Sequence, residues 1–323
     1  MATPEVPGAQ HVTPDITPPP ATNSLVELPT GKPFRETETS DVLRANATPI
    51  VLLVGSAKCG KTTLLASLHD SFQRASSFAG FICAGSKTLI GFEERCFDSR
   101  FASGGEIPTT LRTRPADGLL FYHLKLRNQD LKGPIKNLLV ADMSGELYAS
   151  AVDSAAEMRK QTIIRRADHF VYLIDGGRLA SPEWRGLTRS NASLLLRRCL
   201  EQRMFEPDAR VDVLLTKWDI AIARCGDEEK AAKILSAERE EIKRQLDGKI
   251  GRLRIESVAS RPHFRSRLTP AYGLSEFLRS WVEEPPRKSE PRVAKFPPVK
   301  SDRMFDRFAS CELPDMFESG DNV

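Results

Sequence analysis

The sequence lacks any long apolar run, and no stretch approaches the roughly 18 residues that a membrane-spanning helix requires. Its N-terminal segment also lacks the basic start and the apolar stretch of a secretory signal peptide. We therefore expect a protein that is neither secreted nor membrane-spanning.

Cysteine pairs and an excess of one charge are missing as well. The six cysteines are scattered without a C-x-x-C pair, and Cys59 lies inside a glycine-rich loop that a disulfide would disable. A reducing cytoplasm is the expected compartment. The 47 basic residues nearly balance the 43 acidic ones, giving a net charge of +4, so charge gives no indication of nucleic-acid binding.

Proline and aromatic content divide the chain into three parts. Residues 1–46 are rich in Pro, Thr and Ala and have almost no aromatic residues, so we expect them to be disordered. Proline density rises again near the other end, and residues 285–323 are expected to form a flexible tail. The folded domain is expected over residues 47–284.

Short apolar runs alternate with helical patterns within residues 47–284. Uninterrupted branched runs such as residues 49–54 indicate strands buried on both faces of a parallel sheet. The runs at residues 119–126 and 135–141 have only a turn-like segment between them, which predicts an antiparallel hairpin. The pattern predicts an α/β fold with a doubly wound, mostly parallel sheet and one antiparallel edge strand.

A phosphate-binding motif follows the first predicted strand. It reads G-x-x-x-x-G-K-[ST] with one further threonine, and its residues are Gly55, Ser56, Ala57, Lys58, Cys59, Gly60, Lys61, Thr62 and Thr63. In such a loop, backbone N–H groups surround the β-phosphate, and Lys61 bridges the β- and γ-phosphates. The Thr62 hydroxyl is the expected Mg²⁺ ligand.

The segment Thr216-Lys217-Trp218-Asp219 indicates which base the site accepts. The Asp219 carboxylate can accept hydrogen bonds from N1–H and the 2-amino group of guanine, a donor pair that adenine lacks. The Lys217 stem can lie over the face of the ring. A site built for such hydrogen bonds rejects an analogue lacking them by a factor of about 10⁴, so guanine is favoured over adenine.

A third motif, Asp142-Met143-Ser144-Gly145-Glu146, ends the apolar run at residues 135–141. Asp142 can hold a Mg²⁺-bound water, and the Gly145 N–H can reach a γ-phosphate only when that phosphate is present. This arrangement predicts a nucleotide-dependent switch.

The three motifs are followed by Glu256-Ser257-Val258-Ala259-Ser260, and in this order they resemble the Ras-like and translation-factor class of P-loop GTPases, the TRAFAC class. The resemblance implies binding of GTP and GDP with Mg²⁺. It also implies that Ser257, Ala259 and Ser260 line the guanine site, with the Ala259 N–H donating to guanine O6.

The same resemblance implies a threonine in a mobile loop that completes the Mg²⁺ shell. The segment Glu106-Ile107-Pro108-Thr109-Thr110 precedes the predicted hairpin and is similar to the Ile-Pro-Thr of Arf-like proteins. Thr109 is therefore the expected third metal ligand, and Thr110 is the alternative.

The spacing of the motifs indicates an insert at about residues 76–107. This insert and the Asp-x-Ser-Gly-Glu form of the switch motif resemble the bacterial double-GTPase proteins of predicted conflict operons. That resemblance implies a role in a bacterial defence system, with a second GTPase and GTPase-associated proteins as partners.

One residue departs from the Ras-like pattern, because Glu146 stands where those enzymes carry a water-orienting glutamine. Its carboxylate adds negative charge beside an electron-rich transition state, so unaided hydrolysis is expected to be slow. Lys58 in the loop, and Arg95 or Arg100 in the insert, are candidates to compensate. Two functions remain open: a slow Mg²⁺-dependent GTPase, and a GTP-gated scaffold with negligible intrinsic hydrolysis.

Overall fold

A computed structural model describes residues 30–45, 47–96 and 118–287 of the chain. Within these residues a single sheet runs in the order β2-β3-β4-β1-β5-β6-β7. The strands are β1 (Ile50–Val54), β2 (Phe81–Gly85), β3 (Leu119–Asn128), β4 (Lys136–Met143), β5 (His169–Asp175), β6 (Arg210–Thr216) and β7 (Arg252–Ser257).

Strand directions confirm the predicted mostly parallel sheet. β1 runs parallel to both β4 and β5, and β6 runs parallel to β5 and β7. The predicted hairpin is confirmed, since β3 pairs antiparallel with β4, with Tyr122 opposite Val140. β2 had not been predicted, and it pairs antiparallel with the far side of β3. The reversed strand therefore lies one place in from the edge.

Helices cover both faces of this sheet. In chain order they are a short 3-10 helix (Glu36–Thr39), α1 (Ser40–Ala45), α2 (Lys61–Arg74), α3 (Leu89–Cys96), α4 (Gly145–Asp153), α5 (Ala155–Lys160), α6 (Ile163–Arg166), α7 (Gly176–Leu179), α8 (Pro182–Glu201), α9 (Trp218–Cys225), α10 (Glu228–Leu246) and α11 (Ser275–Glu283). The helical patterns expected between the strands are present, and α4, α5 and α6 follow one another as three short helices.

The alternation of side chains along β1 explains why the sheet needs two helical layers. All five residues of β1 are buried. Val51 and Leu53 face the core formed with α2, α3 and α11. Ile50, Leu52 and Val54 face the opposite core, to which α4 to α10 contribute. A strand covered on both faces needs apolar residues at every position, as the continuous run indicated.

The prediction of disorder through residue 46 is wrong for residues 30–45. Phe34 exchanges two backbone hydrogen bonds of 2.9 Å with Phe121 of β3. Val42 of α1 is buried in the core. Backbone pairing with β3 and burial of Val42 join this segment to the domain, although its composition is poor in apolar residues. We call residues 30–45 the N-terminal strap.

Other domain predictions fall partly outside the described residues. The described part of the predicted insert forms β2 and α3, and residues 97–107 lie outside it. The predicted tail begins on the domain surface, because Arg287 donates from its backbone to the Asp168 carboxylate and from its side chain to the Ala167 carbonyl. Residues 1–29 and 288–323 are outside the described part of the chain.

Candidate functional site

The phosphate loop connects β1 to α2 at the carboxyl edge of the sheet. Gly55 passes so close to β5 that a Cβ there would lie 2.6 Å from the carbonyl oxygen of Leu173 and from the Cys59 sulfur. Gly60 precedes α2 with a φ of +107°, a left-handed conformation that favours glycine. The backbone path therefore requires glycine at both ends of the loop.

Lys61 folds back over this loop. Its Nζ donates hydrogen bonds to the carbonyl oxygens of Gly55 at 2.6 Å and Ser56 at 3.1 Å. The side chain is only 7% exposed. The ammonium is thus held at the mouth of the loop by backbone atoms, in the position where a phosphate-binding lysine acts.

Two of the side chains that the sequence predicts as Mg²⁺ ligands lie beside the loop. Asp142 is wholly buried near the end of β4 and pairs in register with Leu53 of β1, the strand that leads into the loop. Thr62 lies half-buried in the first turn of α2 with Thr63. A carboxylate and a hydroxyl are oxygen donors that fit Mg²⁺, which commonly takes its remaining ligands from phosphates and water. Thr109 and Thr110 lie outside the described residues.

The switch motif lies directly against the phosphate loop. Gly145 begins α4, and a Cβ at this position would lie 2.9 Å from the Cα of Ala57. The Ser144 side chain caps the helix by accepting from the Leu147 N–H at 3.2 Å. A side chain at this position would collide with the phosphate loop, so the close approach of the two segments requires glycine.

A hydroxyl group links the base motif to the phosphate loop. Thr216 is 2% exposed, and its Oγ1 lies 2.6 Å from the carbonyl oxygen of Cys59, to which it donates. The same hydroxyl lies 3.2 Å from the carbonyl oxygen of Ile174. The ends of β5 and β6 are therefore tied to the loop by one side chain.

Lys217 and Asp219 follow this link on a sharp turn. Lys217 adopts a left-handed conformation, with φ of +55°, immediately before α9. Asp219 is 9% exposed, and its Oδ2 accepts from the backbone N–H of His263 at 2.9 Å. That bond positions the carboxylate, whose remaining lone pairs can accept from a base.

The loop after β7 has its own internal hydrogen bonds. The Ala259 N–H donates to the carbonyl oxygen of Tyr272 at 3.1 Å, and the Ala271 N–H donates to the carbonyl oxygen of Ser260 at 2.9 Å. Ser257 accepts from Arg239 through its hydroxyl. In this conformation the Ala259 amide is already engaged, and its expected contact with guanine O6 requires the bond to Tyr272 to open. The roles of Ser257, Ala259 and Ser260 remain predictions.

Lys58 and Arg95, the described cations proposed to offset the charge of Glu146, lie in different parts of the fold. Glu146 lies half-buried in the first turn of α4. Lys58 is exposed within the phosphate loop, with φ of +63°. Arg95 lies half-buried in the last turn of α3, and Arg100 is outside the described residues.

Asp175, the last residue of β5, has a different partner for each carboxylate oxygen, and no sequence motif points to it. Its Oδ1 accepts from the Arg178 N–H at 2.9 Å and caps α7. The other oxygen, Oδ2, accepts from the Lys217 Nζ at 2.6 Å. Strand order could have revealed this pair, because the carboxyl ends of neighbouring parallel strands meet at one edge of a sheet.

Cys59 is a packing residue of the loop. Burial raises the pKa of its thiol, although the nearby Lys61 ammonium acts in the opposite direction. The thiol is therefore protonated at neutral pH.

Among residues 30–45, 47–96 and 118–287, no group of three or more His, Cys, Asp or Glu side chains is arranged to hold a metal ion. No helix in the same part of the chain combines the length and apolar character needed to cross a membrane.

Comparison with solved structures finds GTPase folds at low sequence identity. The signal recognition particle receptor SRb-GTP/SRX complex from Chaetomium thermophilum shares 14% identity, with a TM-score of 0.39 over 72% of this chain and 96% of that chain. The GTP-bound Ski7 GTPase-like domain of S. cerevisiae also shares 14% identity, with a TM-score of 0.42 over 78% of this chain and 54% of that chain. No curated protein matches.

A family model gives the assignment that these structures alone do not give. The model of Double-GTPase 2 matches residues 49–282, which include the phosphate loop, the switch motif and the base motif. This protein belongs to the Double-GTPase 2 family and is a guanine-nucleotide-binding P-loop GTPase.

Proposed function

We propose that this protein is a GTP-controlled switch that binds GTP with Mg²⁺ and hydrolyses it slowly to GDP and phosphate. The observation that carries the proposal is the bond from the Thr216 hydroxyl to the Cys59 carbonyl. It couples the base motif to the phosphate loop, so one ligand with a guanine at one end and phosphates at the other satisfies both segments.

Different polar groups around the loop would bind the phosphates and the metal ion. Lys61 would bind the β- and γ-phosphates, and the loop N–H groups would surround the β-phosphate. Thr62 would ligate Mg²⁺ directly and Asp142 through water, with Thr109 as the proposed third ligand. The metal would neutralise charge on the β- and γ-phosphate oxygens.

Hydrolysis requires a water placed in line with the bond that breaks. Attack on the γ-phosphorus breaks its bond to the β–γ bridging oxygen and yields GDP and inorganic phosphate. Glu146 can accept a hydrogen bond from this water, but its charge opposes the charge already spread over the transferring group. We therefore propose a low intrinsic rate that a partner or a nearby cation raises.

Lys58 and Arg95 are the two cations among the described residues that we propose offset the negative charge of Glu146. An arginine that reaches a transferring phosphoryl group contributes about 10³ to 10⁵ in rate. The test is single-turnover GTP hydrolysis by Lys58→Ala, Arg95→Ala and Glu146→Gln. If all three variants match the parent rate, compensation by these residues is refuted.

A second function is favoured by the same carboxylate. If Glu146 prevents hydrolysis, the protein acts as a GTP-gated scaffold, whose affinity for partners changes with the bound nucleotide. Multiple-turnover phosphate release, measured alone and with added partner proteins, separates the two. Turnover without partners supports the enzyme, whereas tight GTP binding without phosphate release supports the scaffold.

The family resemblance suggests which partners and which biological setting to propose. We propose a second GTPase and GTPase-associated proteins as partners in a bacterial conflict system, within the cytoplasm. Cys59, Cys83, Cys199 and Cys225 are all free thiols, which suits a reducing compartment. A pull-down that compares GDP with a non-hydrolysable GTP analogue tests this proposal, because a switch retains partners with only one nucleotide.

A further inference from the structure

We propose that Asp175 is a positioning residue for guanine recognition, because it holds the Lys217 ammonium while the Lys217 stem lies beside the base. This inference rests on the proposed guanine-binding function and extends it to a residue outside the recognised motifs.

The position of Asp175 is fixed by the sheet. It is the last residue of β5 and pairs in register with Thr216, the first residue of the base motif. Its side chain is 4% exposed. The carboxylate therefore lies next to the turn that carries Lys217.

The two carboxylate oxygens of Asp175 have different partners. Oδ1 accepts from the Arg178 N–H at 2.9 Å and caps α7. Oδ2 accepts from the Lys217 Nζ at 2.6 Å. The Arg178 Nε is 3.9 Å from Oδ2, and its guanidinium lies over the Trp184 ring at 5.1 Å. Lys217 is thus the closer cation, and the capping function uses the other oxygen.

Lys217 is held at both ends. Its backbone is in the left-handed conformation, and its carbonyl oxygen accepts from the N–H groups of Ile220 and Ala221 at 3.0 Å each. Its ammonium is held by Asp175. A four-carbon stem fixed at both ends presents an ordered apolar face, and the binding of a base then orders fewer side-chain rotamers.

The glycines after Asp175 permit this geometry. A Cβ at Gly176 would lie 2.6 Å from the carbonyl oxygen of Thr216, so the chain leaving β5 passes directly against the base motif. The Gly177 carbonyl oxygen accepts from Arg224 of α9 at 2.6 Å. The turns after β5 and β6 therefore pack as one unit, which maintains the contact between Asp175 and Lys217.

Substitutions of Asp175 can separate its capping of α7 from its contact with the Lys217 ammonium. Asp175→Asn retains an oxygen that caps α7 but removes the charge that holds Lys217. Asp175→Ser also retains a capping oxygen but is too short to reach the ammonium. Lys217 is one-third exposed and can be solvated when released, so we expect both variants to fold.

The measurement is the dissociation constant of fluorescent N-methylanthraniloyl-GDP with Mg²⁺, using the full chain. We expect both variants to bind the labelled GDP roughly five- to tenfold more weakly than the parent, because the long Lys217 side chain must then be ordered on binding. Their nucleotide-free unfolding midpoints should stay within about 2 °C of the parent, because the cap is retained. Parental affinity in both variants would overturn the inference.

A double-mutant cycle tests whether Asp175 acts through Lys217. Lys217→Met keeps an apolar stem without the ammonium, and in that background Asp175→Asn should cause no further loss. An equal loss in both backgrounds would overturn the inference. If Asp175→Asn fails to fold, Asp175→Ser is measured in both backgrounds with the same two outcomes. Absence of GDP binding by the parent would instead contradict the proposed function.

Discussion

The hydroxyl of Thr216 donates a 2.6 Å hydrogen bond to the carbonyl oxygen of Cys59, which joins the base motif to the phosphate loop. The two residues are separated by 157 positions in the sequence. Their contact depends on the parallel order of β1, β5 and β6, whose carboxyl ends meet at one edge.

We predict that Thr216→Val weakens nucleotide binding about tenfold and lowers the free energy of unfolding by about 1–3 kcal/mol. Valine has a similar shape but leaves the buried Cys59 carbonyl without this donor. Calorimetric titration with GDP and urea unfolding measure the two effects. Thr216→Ser keeps the hydroxyl and is the matched control. Unchanged GDP affinity in Thr216→Val would show that the link does not organise the site.

We predict that Gly145→Ala selectively weakens the binding of GTP relative to GDP, by about tenfold or more. The added Cβ would lie 2.9 Å from the Cα of Ala57, so the switch segment must move away from the loop. Loss of a charge-assisted hydrogen bond from the Gly145 N–H to a γ-phosphate has this magnitude. The ratio of the two dissociation constants is the measurement.

Gly186→Ala supplies the control for that substitution. Gly186 is in α8, and a Cβ there meets nothing within 4 Å. Replacing glycine by alanine in an open helical position should stabilise the fold by up to about 1 kcal/mol and leave both nucleotide affinities unchanged. Equal effects of Gly145→Ala on GTP and GDP would argue against a γ-phosphate contact.

We predict that Val42→Ala destabilises the whole domain by about 1–3 kcal/mol, because it removes buried methyl groups that join the N-terminal strap to the core. Val42 is 4% exposed. Arg44→Ala, at an exposed position of the same helix, should change the unfolding free energy by less than about 0.5 kcal/mol. Denaturant unfolding of both variants is the measurement, and equal stabilities would mean that the strap is not part of the folded unit.

We predict that part of the acid sensitivity of the fold comes from Asp212. Burial acts to raise the pKa of its carboxyl, but hydrogen bonds with His169, Arg254 and Trp281 lower that pKa overall. Arg254 Nε and Trp281 Nε1 donate to it at 2.8 and 2.9 Å. A carboxyl whose pKa is lower in the folded state contributes stability above its unfolded pKa of about 4, and this contribution is lost as pH falls through the folded value.

Asp212→Asn tests that assignment. At pH 7 it should cost about 1–3 kcal/mol, because the partly exposed Arg254 guanidinium loses its charged hydrogen-bond partner. The difference from the parent should shrink as the pH is lowered below about 4, where the parent carboxyl begins to lose the same contribution. Unfolding free energies measured from pH 7 down to pH 3 provide the check. A difference independent of pH would refute the electrostatic explanation.

Local signals predicted the phosphate loop and every described strand except β2. The loop has fixed glycine positions that the backbone demands, as Gly55 and Gly60 show, and β1 is apolar throughout because both of its faces are covered. Such features are local in sequence, since each depends on a few adjacent residues and on the strand or helix beside them.

The sequence patterns could not predict contacts between segments that are far apart in the chain. Phe34 pairs with Phe121 through backbone atoms, and no side-chain pattern indicates such a pairing. The N-terminal strap was predicted to be disordered because its composition is poor in apolar residues. The ion pair of Asp175 and Lys217 depends on strand order. The bond from the Ala259 N–H to Tyr272 depends on how the loop after β7 closes on itself, which local sequence does not specify.

The most direct test of the account is the base preference of Asp219→Asn. The variant should bind GDP at least a hundredfold more weakly and should gain affinity for xanthosine diphosphate, because the amide can donate to the 2-oxo group that replaces the 2-amino group. Dissociation constants of both nucleotides for parent and variant are the measurement. Undiminished GDP affinity in Asp219→Asn would contradict the assignment of this site to guanine.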